Sequence, residues 1–284
     1  MSVSATLSLP RSVRAALWLP TVRDTTSARR AARALVDDGD TAVVRLADPV
    51  QPQVPPLVGG TPEPVEAPLY LDGSALSDAL LGLAEPLETG AVLPRPGDPM
   101  GAPAARSQEL IDAGEGLLVR GHGGDPARCA VLMPFAQEFG SPYERGTQVV
   151  WTVDLDLPSP APSLLLAGVE SLSHARRTVQ HALTEAVDAL TELDVARDRP
   201  DLADELMDVS VATLPDEHLP PGLEPRRADV LERAARLLKI VDLAAGDPGA
   251  AVTSLQVGRR AEILRGVERA ARHAMCAASA TRPA

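Results

Sequence analysis

Apolar residues recur at steps of three and four between Ser163 and Arg197, a pattern that predicts one long amphipathic helix. The apolar positions are Leu165, Val169, Leu172, Ala175, Val179, Leu183, Ala186, Leu190 and Leu193. Pro162 lies where a helix can begin, and Pro200 lies where this one must have ended. Because a helix with one apolar stripe is not stable alone, other elements must bury that stripe.

The chain that follows predicts the helices that could bury it. A short helix is expected from Asp201 to Val211, a long one from Pro225 to Ala245, and a third from about Pro248 to Ala278. Gly246 follows the second of these at a position suited to a C′ glycine. Residues 159–284 are therefore predicted to form an antiparallel helical bundle.

Residues 1–48 predict two helices, over residues 11–19 and 26–37, and a short strand from Thr41 to Leu46. Seven prolines fall between Pro49 and Pro68, so residues 49–68 are interpreted as a linker. A plain tether is favoured over a proline-rich docking motif, because no basic or aromatic residues accompany the prolines.

Residues 69–158 combine helical and strand patterns. Helices are expected over Ser74 to Leu83 and Ala104 to Ala113, and strands over Gly90 to Leu93, Gly116 to Arg120, Arg128 to Met133 and Thr147 to Leu155. The last strand has the clearest alternation of buried and polar positions. The predicted fold class is α+β, with a small mixed sheet and flanking helices in the N-terminal half, followed by the helical bundle.

Charge and composition narrow the possible partners. The 284 residues carry a formal net charge of −12, which argues against nucleic-acid and anionic-membrane partners because both need clustered cations. Arginine supplies 26 of the 27 basic residues, a bias typical of high-GC bacterial genes. No secretory or transmembrane segment is apparent, and Cys129 and Cys276 lack metal-ligand spacing, so a reduced, cytoplasmic protein is expected.

Two connections carry candidate ligand-binding residues. Arg95 and Asp98 lie in a proline-rich turn between a predicted strand and a helix, where ligands often bind in α/β units. A plain rigid connection, in which the two side chains pair only with each other, is nevertheless favoured. Arg120 and His122 lie at a Gly-rich turn that could present backbone N–H groups to an anion, although a plain hairpin turn is favoured. Together with Arg145, these four residues form the candidate site for an anionic ligand.

Histidines and carboxylates form a second pattern on the long predicted helix. Glu170, His174, His181 and Glu185 share one face, which resembles a row of metal ligands. His174 and His181 are about 10 Å apart along the axis, however, too far for one zinc ion to bridge. A solvated face with (i, i+4) pairs is favoured, and neither a metal site nor a cofactor is predicted.

Aromatic residues are scarce and concentrated. Four of the six in the chain are Phe135, Phe139, Tyr143 and Trp151, around a predicted loop from Ala136 to Gly146. The cluster is a candidate interface for a partner protein or for self-association. Equally, it could seal the junction between the sheet and the helical bundle.

Two short stretches, Pro94 to Pro99 and Leu193 to Arg197, resemble uncharacterised actinobacterial proteins. The resemblance extends through Ala113 to Val153 and into the C-terminal helices, and it implies no function.

Asp194 and Arg197 lie three residues apart on the apolar side of the long helix, so a partly buried ion pair is predicted there.

Two functions from different classes remain open. The leading hypothesis is a non-catalytic cytoplasmic protein that acts through interactions, because no catalytic arrangement can be placed. The alternative is a small-molecule binder or enzyme with a cleft beside the sheet. Convergence of the five candidate ligand-binding residues in one pocket would favour the alternative, and their dispersal would favour the interaction hypothesis.

Overall fold

The architecture is a mixed sheet in the N-terminal half followed by packed helices, as the sequence predicts. The computed structural model describes residues 6–37, 40–47, 75–141, 144–155, 157, 166–192, 200–246 and 254–282. The sheet has five strands in the order β1-β5-β4-β3-β2, with β1 parallel to β5 and the other neighbours antiparallel. The strands are β1 (Thr41–Leu46), β2 (Glu88–Val92), β3 (Gly116–Arg120), β4 (Cys129–Ser141) and β5 (Glu144–Asp154).

Helices flank the sheet and then form the C-terminal layer. They are α1 (Arg11–Trp18), α2 (Thr25–Ala34), α3 (Leu76–Gly82), α4 (Ser107–Ala113), α5 (Leu172–Glu192), α6 (Pro200–Val211), α7 (Pro225–Gly246) and α8 (Ser254–Ser279). None of them, over the described residues, is both long and apolar enough to cross a membrane.

One apolar core joins the two layers. It includes Val13 of α1, Leu118 and Trp151 of the sheet, Leu231 of α7 and Met275 of α8, each at most 1% exposed. Helix α1 packs against β2 and β3 and also against α8. Helix α8 also packs directly against β2, so α1 and α8 together join the sheet to the helical layer.

The long helix begins later than the periodicity predicts. Residues 166–170 are in turns and a bend, and α5 starts at Leu172 rather than Ser163. Arg282 Nη2 donates to the carbonyl oxygens of Leu166 and Val169, each at 2.8 Å, which holds this segment in a non-helical turn. Gly168 also lies against the backbone of Gly101, so closely that a Cβ would come within 2.7 Å of the Gly101 Cα.

Several predictions concern residues outside the described ranges. The linker over residues 49–68 and the ion pair between Asp194 and Arg197 are among them. The proposed boundaries between the four chain regions stay predictions.

Candidate functional site

The proline-rich connection after β2 is a tight two-residue turn. Arg95 N–H donates to Asp98 O at 3.0 Å, and Asp98 N–H donates back to Arg95 O at 2.9 Å. Pro96 and Gly97 form the tip, where Gly97 has φ = +82°, as the third position of a type II turn requires. The turn therefore fixes the positions of Arg95 and Asp98 at the sheet's boundary with the helices.

The side chains of Arg95 and Asp98 both bind α8. Asp98 accepts a hydrogen bond from Arg272 Nη2 at 2.9 Å and lies 3.3 Å from His273 Nε2. Arg95 Nε lies 3.4 Å from Glu268 Oε1, one helical turn before Arg272. Arg269 Nε also lies 3.5 Å from Asp98, so several ion pairs fasten the turn to α8.

Arg272 is the most buried member of this arrangement, at 4% exposed, and it contacts several residues at once. Besides Asp98, its guanidinium donates to Leu93 O at 2.6 Å and to Met100 Sδ at 3.0 Å. Burial alone would raise the pKa of the Asp98 carboxyl. The hydrogen bond from Arg272 and the charges of His273 and Arg272 outweigh burial, so the pKa of Asp98 is held below its ordinary value.

A second buried arginine, Arg14, lies on α1. Arg14 is 2% exposed, and its Nη1 donates to Ala34 O at 3.0 Å and pairs with Asp37 Oδ1 at 2.9 Å. Arg11, one turn earlier, pairs with both Asp37 and Asp40 at 2.8 Å. These contacts tie α1 to the segment that joins α2 and β1.

Glu115, which immediately precedes β3, also binds α1. Its carboxylate accepts the Ser12 N–H at 2.7 Å, and so satisfies a donor at the helix start that Pro10 leaves uncapped. Burial raises the pKa of Glu115, although the Ser12 N–H and the charges of Arg11 and Arg14 oppose the rise. The group is consequently easier to protonate here than in water.

A cavity of about 420 Å³ is lined both by residues of α1 and by Arg95 and Arg272 at the contact between the turn and α8, and we call it the junction cavity. Its charged lining comprises Arg11, Arg14, Arg95, Lys239 and Arg272, with Asp37, Glu115, Asp242 and Glu268. Leu7, Leu9, Leu93 and Leu238 supply apolar surface. The size falls within the range of pockets that bind small molecules.

Two hydrogen-bond donors on this lining have no acceptor within the fold. The Nε atoms of Arg11 and Arg14 are buried without a hydrogen-bond partner among the described residues, whereas Nε of Arg272 lies 3.4 Å from Glu268 Oε1 in an ion pair. Buried N–H groups almost always have a partner in native proteins, supplied by protein, water or ligand. The junction cavity is therefore where an acceptor from outside the fold would be accommodated.

The other predicted ligand-binding residues lie elsewhere. Arg120 forms a two-point ion pair with Glu88 on β2, at 3.0 and 2.9 Å, and this hydrogen bonding raises the pKa of Arg120. His122 is 2% exposed in the β3–β4 turn, with Nε2 3.1 Å from Leu155 O. The Arg145 backbone is in β5, and its side chain lies outside the described residues.

The structure therefore brings together two of the five candidates, Arg95 and Asp98, and separates Arg120 and His122 from them. Arg95 alone of the five lines the junction cavity. Sequence reasoning missed Arg14, Glu115 and Arg272. Their sequence signal is weak, since each is a charged residue inside or beside an apolar pattern, the position at which a burial conflict would be expected.

The aromatic cluster does not form one surface. The predicted loop from Ala136 to Gly146 is wrong, because these residues extend β4 and β5 into a long hairpin, with Phe139 opposite Gly146. Trp151 is fully buried and Phe135 packs against the core, whereas Phe139 is 54% exposed with its ring over Gly146. Tyr143 lies outside the described residues.

The histidine face of α5 has the predicted pairs. His174 lies 3.6 Å from Glu170, and His181 lies 3.3 Å from Glu185, each at (i, i+4) spacing. Within the described ranges, no group of three or more potential ligands is placed to hold a metal ion.

Comparison with known proteins places both halves of the chain. A family model described as Rv1486c-like protein, N-terminal domain, matches residues 12–164. Another, described as Rv1486c-like protein, C-terminal domain, matches residues 173–276. No curated protein and no solved structure matches the chain. Arg14 lies in the first matched stretch and Arg272 in the second, so the junction cavity is built from both.

Proposed function

The chain belongs to the Rv1486c-like family, a family of uncharacterised actinobacterial proteins, and we propose that it binds a small organic anion in the junction cavity. The observation that carries this proposal is the pair of arginine Nε donors, on Arg11 and Arg14, which are buried without partners among the described residues and line one cavity of about 420 Å³. The ligand class is a carboxylate or phosphate with a short apolar portion.

Arginine chemistry supports this ligand class. A guanidinium presents N–H donors in a fixed plane that matches carboxylate and phosphate oxygens, and it stays charged when buried. Here each guanidinium is already held by carboxylates and carbonyls, so its remaining N–H is fixed in direction before any ligand arrives. Fixed donors lower the entropic cost of binding. Leu7, Leu9 and Leu238 would cover the apolar portion.

A thermal-shift screen followed by calorimetry tests the proposal. Phosphate, nucleotides, mono- and dicarboxylates are each added to the full-length chain. A ligand that binds the folded state at a concentration of about 100 times its Kd stabilises it by about 2.7 kcal/mol, which raises Tm by several degrees. We expect at least one class of anion to do so.

Charge-preserving variants then locate the site. Arg11→Lys and Arg14→Lys keep the positive charge but remove the Nε donor, and each should weaken binding by about tenfold or more. Arg106→Lys is the matched control, because Arg106 is also buried, at 6% exposed, but binds Asp154 and Glu109 away from the cavity. Equal losses of affinity in all three variants, or no stabilising anion at all, would count against the proposal.

We also propose that the protein works in the cytoplasm of a bacterial cell. Both cysteines, Cys129 and Cys276, are free and buried, which fits a reducing compartment. Burial raises the pKa of Cys276 to about 12, so its thiol is unreactive at neutral pH.

A further inference from the structure

A second concave surface lies in the helical layer, between α5 and α7. This depression of about 400 Å³ is lined by Ser173, Arg176, Arg177, Val179, Gln180, Asp229, Val230 and Arg233, and we call it the basic groove. Three arginines face one carboxylate there, in a chain whose net charge is −12. The groove is therefore a local reversal of the overall charge.

The arginines of the basic groove differ in how many hydrogen bonds and ion pairs they already form within the protein. Arg233 is held across the two helices, since its Nε donates to Asp229 at 3.0 Å and its Nη1 to Gln180 at 3.0 Å. Asp229, the single acidic residue of the lining, is thereby already paired. Arg176 and Arg177 are exposed, and neither forms an ion pair or a hydrogen bond with another described residue.

The spacing of these charges indicates what they would bind. Arg176 and Arg177 are adjacent on α5, so their side chains leave the helix about 100° apart and do not face each other, an arrangement that favours two separate acceptors over one. Carboxylates on alternate residues of an extended peptide are about 6.6 Å apart, a spacing suited to separate guanidinium partners. Val179 and Val230 lie beneath the groove and are each only 1% exposed, so the surface that a ligand would meet is supplied by the polar lining residues.

We propose that the basic groove docks a short acidic peptide segment of a partner protein. At physiological ionic strength, salt screens interactions between exposed charges beyond about 8 Å. The electrostatic attraction on a ligand that stays inside the groove therefore comes mainly from the arginines of the groove. A nucleic acid would extend beyond the groove and meet the acidic remainder of the surface. The partner is therefore a carboxylate-bearing peptide, and the contact is independent of the junction cavity.

Fluorescence anisotropy tests this docking. The probe is a fluorescein-labelled octapeptide of alternating glutamate and alanine, titrated with the full-length chain at low and at physiological salt. The peptide should bind, and added salt should weaken binding. Replacing both Arg176 and Arg177 by alanine should reduce affinity by at least about fivefold, as expected for two exposed charge pairs.

Arg29 and Arg30 provide the matched control. They are also adjacent, exposed arginines on one helix, α2, so the variant in which both become alanine changes the net charge equally. This variant should keep the wild-type affinity. The proposal is overturned if both double variants lose affinity alike, if a lysine–alanine peptide binds equally well, or if a single-stranded oligonucleotide of matched charge binds more tightly than the acidic peptide.

Discussion

Two sets of arginines in this protein lie in contrasting environments. At the junction cavity, Arg14 and Arg272 are 2% and 4% exposed, and each guanidinium is held by carbonyls and carboxylates from several elements. In the basic groove, Arg176 and Arg177 are exposed and have no partner among the described residues. The two sets have the same chemistry, but only the first is part of what holds the fold together.

The difference teaches how to separate structural from binding arginines in one molecule. A buried guanidinium is destabilising unless carboxylates and carbonyls compensate for its lost hydration, so its partners become essential to folding. An exposed guanidinium loses little hydration and contributes little to stability. Replacing a carboxylate partner should therefore have very different effects in the two regions.

The largest expected effect is at Asp98. Asp98→Ala removes the closer of the two carboxylates that pair with buried Arg272, at 2.9 Å against 3.4 Å for Glu268, and should lower the free energy of unfolding by about 1.5–3 kcal/mol. Asp229→Ala removes the partner of Arg233 on the exposed groove and should cost less than about 1 kcal/mol. Urea denaturation measures both, and similar losses in the two variants would contradict the distinction.

A smaller effect concerns pH, because the fold shifts the pKa values of Glu115, on the junction cavity, and Asp98, beside it, in opposite directions. The pKa of Glu115 is raised in the folded state, so its ionisation costs stability as pH rises above its ordinary value of 4.5. The pKa of Asp98 is lowered, so its contribution is present above its ordinary value of 3.8 and is lost as pH falls below it.

Glu115→Gln checks this balance. Glutamine can still accept the Ser12 N–H but carries no charge, so the variant should be more stable than wild type at neutral pH. The difference should shrink as pH falls towards 4.5. Chemical denaturation at several pH values follows it, and a variant that is less stable than wild type at neutral pH would show that the Glu115 charge supports the fold.

The smallest effect is expected in the basic groove. Replacing Arg176 and Arg177 by alanine should change the free energy of unfolding by no more than about 0.5 kcal/mol, because neither side chain has a partner to lose. A loss above about 2 kcal/mol would mean that these arginines support the fold. The same variant tests peptide docking, so stability and affinity can be compared directly.

The sequence predicts elements well where one periodicity dominates. The helices α6 and α7 and the strand β1 agree with their predicted ranges within about one residue, because apolar spacing and turn residues mark their ends. The β4–β5 hairpin was missed between Ala136 and Gly146. Residues 136–139 of β4 are exposed, so no alternation of buried and exposed side chains marks the strand there, although its backbone is paired with β5.

The junction cavity could not be predicted for a related reason. Arg95 and Asp98 were identified from a rigid connection, but their partners Glu268 and Arg272 are about 170 residues away in the chain and show no motif. Arg14 lies within an apolar helix and shows only as an isolated charge among buried residues. Convergence of such residues depends on the packing of α1 against α8, which periodicity does not specify.

The parallel pairing of β1 with β5 has a consequence for how the protein is made. Thr41 lies opposite Gln148, so β1 leaves the ribosome roughly 100 residues before its neighbour exists, a delay on the order of 10 s at about 5–20 residues per second. During that time the backbone of β1 lacks the strand with which it pairs in the folded protein. The interval between these two strands is therefore the part of synthesis in which β1 is most open to pairing with another chain, and slowing translation should lengthen it.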